Sequence, residues 1–222
     1  MRKASVKVTF EHYFWWMDWY VEFLSKIYSA KRVIGIRDEK TEIFEAFVFK
    51  IHTTWEVFVE ALLIDSLNRD TSQYAKYMNR PLPKHLSRNI CEIMLLGLGY
   101  LDWKGATELR AKTKNILVPE HNPFQKIPKT SIKKIDQFYT IRNYLAHYSI
   151  VAGRSLSKMY KNNFKMKNFS QPGEFLYATD QKTKDTRLGN YIKAFVDAAD
   201  EMAKFLNVHV DSRDVLLRKR ET

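Results

Sequence analysis

The chain has 222 residues, enough for one domain with a sizeable core, and its 45% hydrophobic and 14% aromatic content is globular rather than disordered. A single cysteine, Cys91, excludes an intramolecular disulfide and a cysteine-rich zinc site. The formal net charge of +12 favours a polyanionic partner, because each phosphate neutralised by Lys or Arg releases condensed counterions.

Seven glycines and six prolines are sparse punctuation for a β-sandwich or barrel and ample for helices. The first ten residues mix charged and polar side chains and lack the apolar run of a signal peptide. No stretch approaches the ~20 apolar residues that span a bilayer. The aromatic block from His12 to Tyr20 is too short and is flanked by acids. A cytoplasmic protein without membrane attachment is expected.

A first helix is expected over 8–29, apolar on nearly every side and so sandwiched between other helices or placed at an interface. A charged link with Gly35 follows over 31–40. Thr41 is a candidate N-cap, with Glu42 and Glu45 in the first turn where the helix dipole favours acids. The helix it would open runs to about Asn68, carrying Phe44, Phe47, Val48, Ile51, Trp55, Phe58, Val59, Leu62 and Leu63 at three- and four-residue spacing. Pro81 and Pro83 close the next loop. Further helices are expected over 84–96, ending near Gly97 and Gly99, and over 104–116.

A loop marked by Pro119, Asn122, Pro123 and Pro128 leads to a helix over 132–150, with Ser131 as its cap. The segment 151–185 is polar and basic, with Lys158, Lys161, Lys165 and Lys167, and reads as a loop holding a short hairpin around Pro172-Gly173. A last helix covers 188–206, and Arg218-Lys219-Arg220 ends a loose tail. The fold class expected is all-α: one bundle of five to six helices, with a basic loop or small hairpin between the 132–150 helix and the last. By domain, residues 1–40 form an aromatic helix and link, 41–207 the bundle, and 208–222 a basic tail.

The string Arg142-Asn143-Tyr144-Leu145-Ala146-His147 stands out on the 132–150 helix. With Phe138 set at zero and about 100° per residue, Ile135, Ile141, Leu145 and Tyr148 fall within about 80° on either side and define the core face. His147 projects at about 180°, Asn143 at about 140°, Ala146 at about 80° and Arg142 at about 40°. One flank thus presents Arg, Asn and His beside a small residue that leaves room for a ligand. An ordinary solvated face, with Arg142 bonding a nearby carboxylate, is the competing reading.

The string resembles the HEPN superfamily, whose hallmark is Arg, four to six residues, then His, on a helix of a bundle, with a polar residue after the Arg. Arg142 and His147 match the four-residue spacing, and Asn143 matches the polar position. The surrounding context, roughly 41–206, is similar as well: a long upstream helix, an Asn122-Pro123-Phe124 loop, the motif helix and a closing helix. The resemblance implies a bundle that dimerises with its motif helices facing. It also implies a metal-independent endoribonuclease of a toxin–antitoxin, abortive-infection or other defence system, with RNA as substrate and an antitoxin or defence protein as partner. Other members are inert or serve as modules binding RNA or a partner protein.

RNA carries its own nucleophile, the 2′-OH, so cleavage requires no metal and no cofactor is expected. His147 suits the proton transfers, Arg142 offers a permanently charged fork to the phosphate, and Asn143 can orient either. Glu56 and Glu60 lie within the apolar run 55–63, and a buried carboxylate needs a cationic partner. Arg142 is the candidate for that partner, and a solvent-facing glutamate is the alternative. Lys158, Lys161, Lys165 and Lys167 are candidate RNA contacts. The six histidines show no His-x3-His or His-Glu-x2-His spacing, so no metal site is expected. Gly97-Leu98-Gly99 reads as a helix terminus rather than a dinucleotide loop.

Overall fold

A computed structural model describes residues 6–30, 39–97 and 103–210 of the chain. Its first element, α1 (Val6–Ser29), buries Phe10, Tyr13, Met17, Tyr20 and Leu24, a three- and four-residue spacing that makes one continuous stripe. That stripe packs on α2 (Glu39–Arg69). α2 buries Ile51, Trp55, Val59 and Leu62 completely, and its residues 62–68 are buried all round, while Thr53, Val57 and Glu60 leave an exposed face at its middle. α1, α4, α6, α8 and α9 all pack on it, which makes α2 the central helix of the bundle.

α3 (Ser72–Met78), α4 (Arg88–Gly97) and α5 (Ala106–Ile116) follow, then 3-10 turns at Pro119–His121 and Pro123–Lys126. The motif helix is α6 (Lys129–His147), and α7 (Ile150–Phe164), α8 (Pro172–Tyr177) and α9 (Arg187–Phe205) complete the set. Among the described residues there are nine α-helices, and the β pairing is a single bridge between Thr179 and Thr186. Aromatic rings lock the centre: Trp55 meets Tyr13 of α1 and Phe195 of α9 at centroid distances of 6.0 and 5.1 Å. Phe195 then meets Phe138 of α6 edge-on at 5.0 Å. Each such side chain taken out of water contributes roughly 1.5–3 kcal/mol.

The all-helical bundle agrees with expectation, and several local features differ. The 151–185 segment is no loop with a hairpin. It folds as α7 and α8, because Ala152, Leu156, Met159 and Tyr160 recur at helical spacing and bury one face. Thr41 is not a cap, since α2 already begins at Glu39. Ser131 is buried inside α6, which opens after Pro128 at φ −60°. α3 is an additional helix, and α4 starts at Arg88 rather than at Lys84. The link residues 31–38, Gly99 and the Arg218-Lys219-Arg220 tail lie outside the described residues.

Two glycines test the packing around α8 and α7. A Cβ on Gly173 would stand 2.6 Å from the Thr41 carbonyl oxygen, so α8 reaches α2 only through a glycine. Gly173→Ala should cost about 1–3 kcal/mol, as overpacking against backbone does. At Gly153, within α7, an added Cβ would sit 3.5 Å from Tyr144 Cε2, an ordinary contact. Gly153→Ala should therefore raise stability by about 0.5–1 kcal/mol through helix propensity. Urea unfolding of the two variants should shift in opposite directions.

Candidate active site at the end of the motif helix

The core stripe of α6 is formed by Ile135, Phe138, Ile141 and Leu145, all buried. Tyr148 does not join it. The helix stops at His147, and Tyr148 takes a left-handed conformation (φ 44°, ψ 27°) that turns its ring outward, 64% exposed. Its N–H still donates to the Tyr144 carbonyl at 2.8 Å. Ser149 then caps α7, its Oγ accepting from Ala152 N at 3.2 Å. A bulky side chain in the left-handed region costs about 1–3 kcal/mol, a strain that concentrates at functional positions.

The Arg-Asn-His string therefore occupies the last two turns of α6. Asn143, Ala146 and His147 are exposed and Arg142 is half-buried. Arg142 Nε is enclosed and has no hydrogen-bond partner. Among the described residues the ion pairs do not include Arg142. A half-buried guanidinium without a carboxylate partner has the charge and the donors to hold an anion.

Neither glutamate expected from the sequence is seen on Arg142. Glu56 Oε2 lies 3.1 Å from His52 Nδ1, within α2, and Glu60 is exposed. The acids felt at the end of α6 are Glu45 and Glu42, near the start of α2. Partial desolvation raises the pKa of the Tyr148 hydroxyl, and Glu45, Glu42 and Tyr144 push it further up. Glu45 Oε1 accepts the Gly173 N–H at 2.7 Å, and burial outweighs this bond to hold its carboxyl above the usual range. The approach of α2 to α6, marked by His52 against Tyr139 at 4.6 Å, brings these acids near; nothing in the local sequence signals it.

The basic residues after the motif are placed by α7. Lys158 and Lys161 lie on the helix, Lys165 is its left-handed C-cap and Lys167 follows, all four exposed. Arg154, which carries no signal of its own in the sequence, stands on the same outward face. Among the described residues no His, Cys, Asp and Glu cluster of three or more is arranged to hold a metal ion. No helix there is long and apolar enough to cross a membrane.

An enclosed, unpartnered Nε gives Arg142 a testable energetic signature. An unsatisfied buried donor costs about 1–3 kcal/mol, so Arg142→Met should raise the unfolding free energy by about 1 kcal/mol. His147→Ala, at an exposed terminus, should stay within about 0.5 kcal/mol of the parent. Chemical denaturation reads both, and a large loss at Arg142 would mark it as structural. Compared with known protein families, curated proteins and solved structures, the chain finds no significant match, so what the site can do follows from its own side chains.

Proposed function

We propose that this chain is a metal-independent endoribonuclease of the HEPN type, acting in the cytoplasm as a toxin or phage-defence effector. The observation that carries the reading is an unpaired, half-buried Arg142 little more than one turn before an exposed His147, with Asn143 and the small Ala146 open beside them. Such a surface takes a phosphodiester. The guanidinium would hold two non-bridging oxygens and stabilise charge as the phosphorane forms. His147 would exchange protons with the 2′-OH and the leaving 5′-oxygen, and Asn143 would orient one or the other.

Two proton transfers are needed, and a two-fold axis beside α6 supplies a second histidine. One copy's His147 then acts as base and the other's as acid. Ile150 and Val151, 74% and 72% exposed on the first turn of α7, offer the apolar part of such an isologous contact. An antitoxin or other defence protein that covered this face would silence the enzyme.

Purified protein incubated with mixed RNA should cut it equally well with and without EDTA. The products should carry 2′,3′-cyclic phosphate and 5′-hydroxyl ends, because the attacking oxygen belongs to the RNA. DNA should remain whole. Arg142→Ala and His147→Ala should each lower the rate by about 10²–10⁴-fold. Light scattering should give a dimer at micromolar concentration. A metal requirement, cleavage of DNA at a comparable rate, or full activity in the double variant would each overturn the assignment.

A further inference from the structure

Beyond the motif itself, the end of α6 packs on α7, and each leaves an exposed face. Tyr148 and Phe169 are exposed, at 64% and 44%, and Tyr144 lies between them at centroid distances of 5.3 and 5.7 Å. Phe169 is held from behind by Tyr160 at 5.9 Å. Gly153, near the start of α7, faces the Tyr144 ring. The exposed aromatic edge and α7 are therefore in contact.

On α7 the buried residues Ala152, Leu156, Met159 and Tyr160 fix which way the helix faces. Projected at about 100° per residue, Arg154, Lys158, Lys161 and Lys165 lie opposite that core within an arc of about 60°. They form a single file about 16 Å long. The sequence of α7 contains no acid, and none of these four enters an ion pair among the described residues. Glu45 and Glu42 lie on the α2 side of Tyr148 and act on its hydroxyl, so the acids flank the ring on that side and the basic file lies on α7.

We propose that this surface is a track for single-stranded RNA, with an unpaired base stacked on Tyr148 beside the motif and the adjoining phosphates following Arg154, Lys158 and Lys161 along α7. The proposal rests on the ribonuclease reading for its orientation. Stacking on an exposed ring needs a base already out of a duplex, and sequence-tolerant strand binding combines such rings with a basic groove. A file one side chain wide matches one backbone; a duplex is gripped across its grooves by broader surfaces. The backbone strain at Tyr148 then has a purpose, since it is what turns the ring out beside His147. The first turn of the same face, with Ile150 and Val151, is left to the subunit contact.

The test measures binding of a fluorescent 2′-O-methyl RNA 12-mer, which cannot be cut because its nucleophile is blocked, as a single strand and as a duplex. The full chain should bind the single strand at least tenfold more tightly. Tyr148→Gly, which suits a left-handed backbone and so keeps the fold, should weaken that binding about tenfold without changing its salt dependence, and Tyr148→Trp should restore it. Changing Arg154, Lys158 and Lys161 together to Gln should make the log–log salt slope shallower by about 2, at ~0.7 for each phosphate no longer neutralised. Equal affinity for the duplex, unaltered binding by Tyr148→Gly, an unchanged slope or no binding by the parent protein would each overturn the track. Cleavage of RNA by the parent with unaltered binding in the variants would sink the track and leave the ribonuclease standing. Tight, variant-sensitive binding with no cleavage of any RNA would do the reverse.

Discussion

The orientation of the motif helix depends on a ladder of four rings through the centre of the bundle. Trp55 is wholly enclosed in α2 and touches Tyr13 of α1 on one side and Phe195 of α9 on the other. Phe195 in turn packs on Phe138, more than two turns before His147 on α6. Close-packed interiors do not deform continuously, so a ring at each crossing fixes how far each helix is rotated about its own axis. Once Phe138 points inward, Ile141 and Leu145 must follow it, and Asn143, Ala146 and His147 are forced out. The candidate chemistry lies on the surface, and its direction is set in the core.

Stability is given up where that surface is built. Tyr148 occupies backbone space that suits glycine, and Arg142 Nε is enclosed without an acceptor. Both features would disappear on simple substitution, and both flank the same two turns of helix. Neither feature is unique in the fold, since Arg110 Nε is enclosed without a partner too and Lys165 is also left-handed; it is their company with the exposed Asn143 and His147 that makes the end of α6 the candidate site.

The bundle is legible in the sequence because apolar residues recur at helical spacing through α1, α2, α6 and α9, whose lengths leave little room for error. The Arg-Asn-His face is legible too, since projection alone separates Asn143 and His147 from Ile141 and Leu145. What stays hidden is shorter or three-dimensional. α7 reads as a loop because its many polar residues obscure Ala152, Leu156, Met159 and Tyr160, which carry the period. The end of α6 comes earlier than its pattern suggests because nothing in Tyr148-Ser149 marks a stop as glycine would; the cap belongs to the next helix. Glu45 has less in the sequence to recommend it than Glu56 and Glu60, because the approach of α2 to α6 is a property of packing, not of either segment.

Reading 151–165 as a helix also changes what its charges can do. In a loop, basic side chains are independent points that spread apart in solution. On α7 the backbone holds Arg154, Lys158, Lys161 and Lys165 in one file, and no acid on the helix neutralises them. Like charges one turn apart on a helix repel by about 0.2–0.5 kcal/mol a pair, which a polyanion lying along them would relieve. Ser149 starts that helix two residues after His147, and Gly153 lies beside Tyr144. The same short junction therefore ends the helix that carries the candidate reactive groups and begins the one that carries the charge. A strand bound along the second, as proposed, would lie beside the first.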